Sequence, residues 1–458
     1  MDTLAAPPGS APEASVTVQA ARRLRGELGV PGDKSISHRA LMLALLAVGE
    51  SGIHGAGDGA DVRTTATIVA ALGASIERAA GDGRNADYRV VSPGDASLPA
   101  PADVLDCGNS GTSLRLFAGI LAGLPVTAVL DGDASLRRRP VARIIEPLRA
   151  MGATLEAHDH DSLPPLTVTG RRPLRPIDWT TPVPSAQVKS SILLAGLRAG
   201  GTTRVHERVA TRDHSERMLR ARGVTVRSLP DGAGGATIEI DGGTAVQAIE
   251  ERVPGDPSAA AFWLVAAAVH PDAEIVIRNV GVNPTRRAIV DILSRMGAAI
   301  EERPVDRAAS AGTADVGEPV ADLVVRSSDL RAVEIGPAEV AAAIDEIPVL
   351  CLAATQARGR TTIRGAGELR HKESDRLAGI AAGLGALGAR ITVDGDDLTI
   401  DGPVRLIGAP TDSLDDHRLA MTFAIAALIA TGRTTVGRPH SASISYPGFF
   451  TDLERIRA

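Results

Sequence analysis

Three lysines stand against 46 arginines in this chain, and each lysine falls within a dense polar motif. An ammonium is compact and can change its protonation state, whereas a guanidinium stays charged at any relevant pH. Where arginine serves for every plain positive charge, the exceptions mark candidate proton carriers. Lys34 lies in PGDKSISHR, residues 31–39, with Ser35 and Arg39 as further donors. Gly32 permits a tight turn there, and Ser35 is expected to cap a helix whose free N–H groups favour an anion. Lys189 follows Ser185 and Gln187 in PVPSAQVKSSILLAG, ahead of an apolar helix. Lys372 stands beside Glu373 and Arg376 in RHKESDRL, a set of proton carriers and anion binders.

Other motifs add anion-binding and acid/base groups. DCGNSGTSLR reads as a strand, a turn of Asn109, Ser110, Gly111 and Thr112, and a helix start that offers unpaired amides to a phosphate or carboxylate. Cys107 in it has no adjacent activating group and reads as a small core residue. SLRRRPVAR sets Arg137, Arg138 and Arg139 before a helix, with at least one aimed into a cleft; TRDHSER supplies Arg212. AAIDEIPVLCLAA puts Asp345 and Glu346 against an otherwise apolar helix, costly unless they are used or paired. LDDHRLAM adds Asp415, Asp416, His417 and Arg418. The signature of a P-loop ATPase is absent. The HDH run at residues 158–160 reads as a loop rather than a metal site.

Whatever anions these groups hold must be gripped locally, because the net charge is −6. That sign argues against a nucleic-acid partner, and 2% aromatics leave no stacking platform for single strands. Two cysteines, Cys107 and Cys351, exclude a disulfide framework. Residues 1–15, broken by Pro7, Pro8 and Pro12 and without a basic residue, read as a disordered tail and not as a signal or transit peptide. The apolar runs at 41–48 and 259–269 fall short of the roughly 20 residues a membrane span needs. A cytoplasmic protein without a membrane partner is expected, and the lack of a heptad or edge motif predicts a monomer.

The elements that must position these groups repeat. ALGASIE, AMGATLE, ARGVTVR, RMGAAIE and ALGARIT each end a helical stretch at Gly73, Gly152, Gly223, Gly297 or Gly388 and run into a β-branched one. FFTDLERIRA supplies a sixth helix that ends where its glycine would fall. Six units of about 75 residues fill the chain. VPGDKSISHR and VPGDPSAAAF, starting at Val30 and Val253, divide the units into two halves. Residues 33–254 are expected as one domain, and residues 16–32 with 255–458 as the other. Two domains joined by two crossings make a clam-shell whose cleft is the default ligand site.

Taken together, PGDKSISHR, GNSGTSLR, RRP, SAQVKSS, TRDH, IDEIP, HKESDRL and DDHRLAM resemble the 5-enolpyruvylshikimate-3-phosphate synthase family from about Val16 to Leu453. The resemblance implies an α/β (α+β) fold: a two-domain inverse βα-barrel of six βαβαββ units in two halves, with the ligand cleft between domains. It implies transfer of the enolpyruvyl group of phosphoenolpyruvate to the 5-hydroxyl of shikimate 3-phosphate, releasing phosphate. Contacts to shikimate 3-phosphate would come from Lys34, Ser35, Arg39, Ser185, Ala186, Gln187, Arg212, Asp345 and Lys372. Those around phosphoenolpyruvate would come from Lys34, Gly111, Arg139, Gln187, Arg376 and Arg418. The family commonly has a further lysine before its SFP or TFP motif, where HSASISYPGFF aligns His440. Glyphosate, a phosphonate competitor of phosphoenolpyruvate in this family, is expected to inhibit, since the position of Gly111 is alanine in some tolerant members.

The chemistry needs one group to take the hydroxyl proton, for which Asp345 is the first choice. Another must deliver and later remove a methylene proton, for which Glu373 or the pair Lys34 and Lys372 is available. No metal or organic cofactor is required. A UDP-N-acetylglucosamine enolpyruvyl transferase fits less well, since that family's cysteine loop is missing and it lacks the PGDKSISHR turn. A non-catalytic clam-shell that binds a phosphometabolite leaves Asp345, Glu373 and the lysines without a role.

Overall fold

Six helices are rich in apolar residues and buried on nearly every side, as a helix inside a core must be. In the computed structural model, which describes residues 14–305 and 317–457, they fall into two groups of three. Lys34–Leu46, Gly111–Ala122 and Ala186–Gly196 fill one hydrophobic core, and Pro257–Val269, Ile347–Gln356 and His417–Ala427 fill the other. Helices such as His214–Ala221 and Ala288–Arg295 bury only one face. Sheet strands alternate buried and exposed residues, as along Asn85–Pro93, so each sheet turns one face to a core and the other to water.

One unit runs Leu105–Asp106, Gly111–Ala122, Thr127–Asp131, Ala142–Ala150, Thr154–Ala157 and Leu163–Thr169, a βαβαββ order. Its first two strands pair parallel and the rest antiparallel. The described residues contain six sheets, five of four strands and one of three. The five glycines that mark the repeats all follow a helix end with φ between 80° and 102°, the left-handed conformation that glycine adopts without strain. The last unit has the helix Phe449–Ile456 and no hairpin after it. Its sheet is completed by Ser15–Gln19, antiparallel to Arg433–Gly437. Ser15 is therefore in a strand rather than a tail; the rest of that tail, up to residue 13, lies outside the described residues.

Each of the two crossings is preceded by a strand held in a sheet on its own side. Leu24–Gly29 pairs parallel with Ala273–Gly281, while Glu250–Arg252 pairs parallel with Val48–Gly57. Between these strands the chain crosses at the two Pro-Gly-Asp turns, which lie against each other. Gly32 and Gly255 form a bridge, Asp33 N donates to Pro254 O (2.7 Å), and Asp256 N donates to Pro31 O (2.8 Å). A Cβ on Gly32 would collide with the Gly55 carbonyl and the Gly57 nitrogen, whereas Gly29 has open space around it. Gly32→Ala should accordingly cost about 1–3 kcal/mol through overpacking and Gly29→Ala little. Denaturant midpoints of the two variants compare them directly.

Candidate active site

The motif residues gather at the N-terminal ends of the buried helices. Side chains of Asp33, Ser110, Ser185 and Asp416 cap four of these helices by accepting backbone N–H bonds, which fixes where the first turn points. The cap of the first helix is Asp33 and not Ser35, because Lys34 is already its first helical residue. Asp345 and Glu346 precede the helix Ile347–Gln356 instead of interrupting it, so neither breaks its apolar body. Lys372 and Glu373 occupy the link between the short turn Gly367–His371 and the helix Arg376–Ala386.

From these ends the charged groups meet across the cleft. Arg212 reaches Asp345 (Nη2 to Oδ2, 2.8 Å), and Arg139 lies 3.7 Å from Glu373. Arg376 donates to Glu373 Oε2 (2.5 Å) and to Asp416 Oδ2 (2.7 Å), with Nη1 3.7 Å from Asp345. Arg418 stands 3.9 Å from both Asp345 and Glu346. Lys34 is held by Asp61 at 3.0 Å. Gln187 accepts from Arg115 (2.7 Å) and donates to Thr112 (3.0 Å), joining two helix starts. Gly111 lies beside this pair: a Cβ there would sit 2.7 Å from Arg115 Nη1 and 3.6 Å from Arg139 Nη1. Ser185 and Ala186 open the helix that carries Gln187, while Ser35 O accepts from Arg39 Nη1 (2.9 Å).

Burial pushes the Asp345 carboxyl up, but Arg418, Arg212, Lys372 and Arg376 outweigh it and hold it well below the ordinary range. Glu373 is held well below its range in the same way: Arg376, Arg139, His417 and Lys34 overcome its burial. Both are carboxylates at neutral pH. Lys34 titrates above an ordinary lysine, since Asp61 and Glu373 outweigh desolvation. Lys372 titrates below it, because desolvation and the nearby Arg376 prevail over Asp345 and Glu373. Two lysines at one site are thereby driven apart, one a fixed cation and the other a better proton donor.

Several expectations are sharpened or corrected. Of the three consecutive arginines only Arg139 is buried; Arg137 turns outward to Asp131. Arg39 is buried and bonds Ser35, Ser190 and Ser215. Lys189 is not at the cleft surface: it is 1% exposed between Glu207 and Glu216, both at 2.8 Å. Cys107 is buried and its thiol is pushed up by desolvation, as a core residue requires. The HDH run forms a surface turn, with Asp159 and His160 in left-handed conformations. His440 is about half exposed and pairs with Asp415 at 3.5 Å. Sequence reading passed over Asp61 and Arg115 and gave His417 no role. His417 is fully buried beside Lys34 and Glu373, with neither ring nitrogen hydrogen-bonded, and burial together with Lys34 keeps it neutral. Asp61 could have been suspected only as a first-turn carboxylate with no partner on its own helix.

Two inverse βα-barrel domains closing on such a cleft define the enolpyruvyl transferase fold. NikO, an enolpyruvyl transferase from Streptomyces tendae, has it, with a TM-score of 0.75 at 22% identity over 97% of this chain and 98% of its own. The particular family follows from closer matches. The family model for EPSP synthase (3-phosphoshikimate 1-carboxyvinyltransferase) matches residues 18–453, and the chain belongs to that family. A relative from Gloeobacter violaceus named 3-phosphoshikimate 1-carboxyvinyltransferase is 51% identical over 96% of this chain and 98% of its own. One of the same name from Chloroflexus aurantiacus is 46% identical over 96% and 99%. An EPSP synthase structure from Acinetobacter baumannii superimposes with a TM-score of 0.83 at 38% identity, covering 97% of this chain and 98% of that one.

The ionised Asp345 ties the two domains together, and a carboxylate of depressed pKa contributes its stabilisation above the unfolded value and loses it as pH falls through the folded one. The cross-cleft bridge should therefore survive mild acid and fail only well below the ordinary carboxylate range. Small-angle scattering over a pH series should show domain separation only there, and Asp345→Asn should show it at neutral pH.

Proposed function

We propose that this protein transfers the enolpyruvyl group of phosphoenolpyruvate to the 5-hydroxyl of shikimate 3-phosphate and releases inorganic phosphate. The observation that carries the reading is the meeting of Asp345 and Glu373 with Arg212 and Arg139 across the cleft, in a chain matched to the EPSP synthase family over residues 18–453. In this reading the cations take up the charge of two anionic substrates. Arg139, Arg376 and Arg418 stabilise the carboxylate and the departing phosphate of phosphoenolpyruvate, with Lys34, Gly111 and Gln187 alongside. Lys34, Ser35, Arg39, Ser185, Ala186, Gln187, Arg212, Asp345 and Lys372 hold shikimate 3-phosphate.

The reaction is an addition followed by an elimination. A proton goes to the methylene carbon of phosphoenolpyruvate as the 5-oxygen attacks its central carbon and Asp345 takes the hydroxyl proton. The tetrahedral adduct then loses phosphate, and a proton leaves the new methyl group to restore the double bond. Lys372, with its lowered affinity for a proton, fits the delivery. Glu373, ionised in the empty cleft, fits the removal. Lys34 stays charged throughout and anchors both ligands.

The domain boundaries belong to the same reading: residues 33–254 form one domain, and residues 16–32 with 255–458 the other. The two separate hydrophobic cores support this division. We read the protein as a cytoplasmic monomer acting on free metabolites, without nucleic acid, membrane or cofactor. The net charge of −6 supports the exclusion of nucleic acid. No helix among the described residues is long and apolar enough to cross a membrane.

The direct test is phosphate release from shikimate 3-phosphate plus phosphoenolpyruvate, run beside the same assay with UDP-N-acetylglucosamine; turnover only in the second would overturn the reading. Glu373→Gln should keep ligand-induced closure and lose about 10²- to 10⁴-fold in turnover, and unchanged phosphate release would refute its proton-transfer role. Glyphosate should inhibit the wild type at micromolar concentrations. Gly111→Ala, whose methyl group pushes on Arg115, should raise its inhibition constant by about tenfold or more with little change in melting temperature. A wild type that needs millimolar glyphosate contradicts this.

A further inference from the structure

Arg212 owes its reach across the cleft to a segment with little structure of its own. Residues 208–213 link the strand Thr202–Glu207 to the helix His214–Ala221. The link is gripped from beneath by a buried group that plays no part in the chemistry above. Lys189 projects from the helix Ala186–Gly196 and is 1% exposed. Its Nζ lies 2.8 Å from Glu207 Oε2 and 2.8 Å from Glu216 Oε1, and donates to Thr211 O at 3.3 Å. Glu207 in turn accepts from the Thr211 hydroxyl and from Thr211 N (3.4 Å). One ammonium therefore fastens the strand before the link, the helix after it and a carbonyl within it.

The residue type fits that geometry. An ammonium has three N–H donors, and here it has three acceptors, so burial leaves no donor unpaired. The planar, five-donor fork of arginine does not match three converging acceptors. In a chain that uses arginine 46 times, lysine is kept at this position. Stability alone is a weak reason for a buried ion triad, since apolar packing of the same volume often does as well.

We propose that Lys189, with Glu207 and Glu216, is a positioning residue that fixes residues 208–213 so that Arg212 is presented to Asp345 and to the phosphorylated substrate bound between the domains. This rests on the proposed function for the identity of that substrate, but the fixing of the segment does not.

Lys189→Met would strand two buried carboxylates and is a poor first test. Thr211→Val removes the hydroxyl bond that ties the link to Glu207 and leaves the ion triad and the backbone contacts of Thr211 in place. In the full-length protein without ligands, the amides of Thr211 and Arg212 should exchange about tenfold faster in this variant. The KM for shikimate 3-phosphate should rise about fivefold, with kcat within about twofold and the melting temperature essentially unchanged. In an Arg212→Ala background the same substitution should change KM by less than about twofold, because its effect passes through Arg212. Unchanged exchange, an unchanged KM, or full additivity with Arg212→Ala each overturn the proposal. A wild type without turnover would sink the proposed function instead, and amide exchange alone would then decide this inference.

Discussion

Positive charge is packed into the cleft more densely than the protein could hold without Asp345 and Glu373 among it. Arg139, Arg212, Arg376 and Arg418 are all held within a few ångströms of Asp345 or Glu373. Such pairs are stable in a partly buried site only if each charge has a partner, and a partner removed leaves an uncompensated ion. The two carboxylates keep the cations in place, and in the proposed reaction, ionised as they are in the empty cleft, they are the groups that accept protons. Anions entering the cleft add negative charge, loosen the hold of the cations on Glu373 and raise its affinity for a proton. In the proposed reaction, the electrostatics that pairs these groups in the empty cleft also sets their proton affinities once it is filled.

That arrangement sets what the fold must supply. The charged groups of the cleft come from both halves of the chain, and each must leave a rigid element there. Buried helices meet the requirement, because their first turns carry unpaired N–H groups and the positive end of the helix dipole. Lys34, Gly111, Gln187 and Arg418 each stand within the first two residues of such a helix. The sheets outside pair cross-strand arginines with carboxylates, as Arg227 does with Glu239 and Asp241, and keep the outer faces wet. At the hinge, Arg286 stands 3.2 Å from Asp256 and 4.0 Å from Asp33. A single buried cation spans the two equivalent turns about which the domains would move.

Local signals carried the fold, and the five repeat glycines show why. Each is demanded by one backbone conformation at a helix end, a constraint within a few residues of sequence. The motif residues at helix starts were legible for the same reason. What escaped was contact between distant segments. Asp61 and Lys34 are 27 residues apart, while Lys189 and its two glutamates span three elements. No periodicity in the sequence reports which buried charge answers which. Asp345 and Glu346 stand in sequence against an apolar stretch that gives no sign of where its helix starts; the helix begins only after them.

Lysine is the residue that ties these observations together. A guanidinium suits a bidentate carboxylate, so arginine fills the surface ladders and most of the cleft. An ammonium is needed where the charge must be compact, where it must give up a proton, or where three acceptors converge. Lys34 meets the first condition beside Asp61, Lys372 the second with its lowered pKa, and Lys189 the third beneath Arg212. In the proposed reading, the scarcity of lysine in this chain is a map of the three positions where a planar, permanently charged fork fits least well.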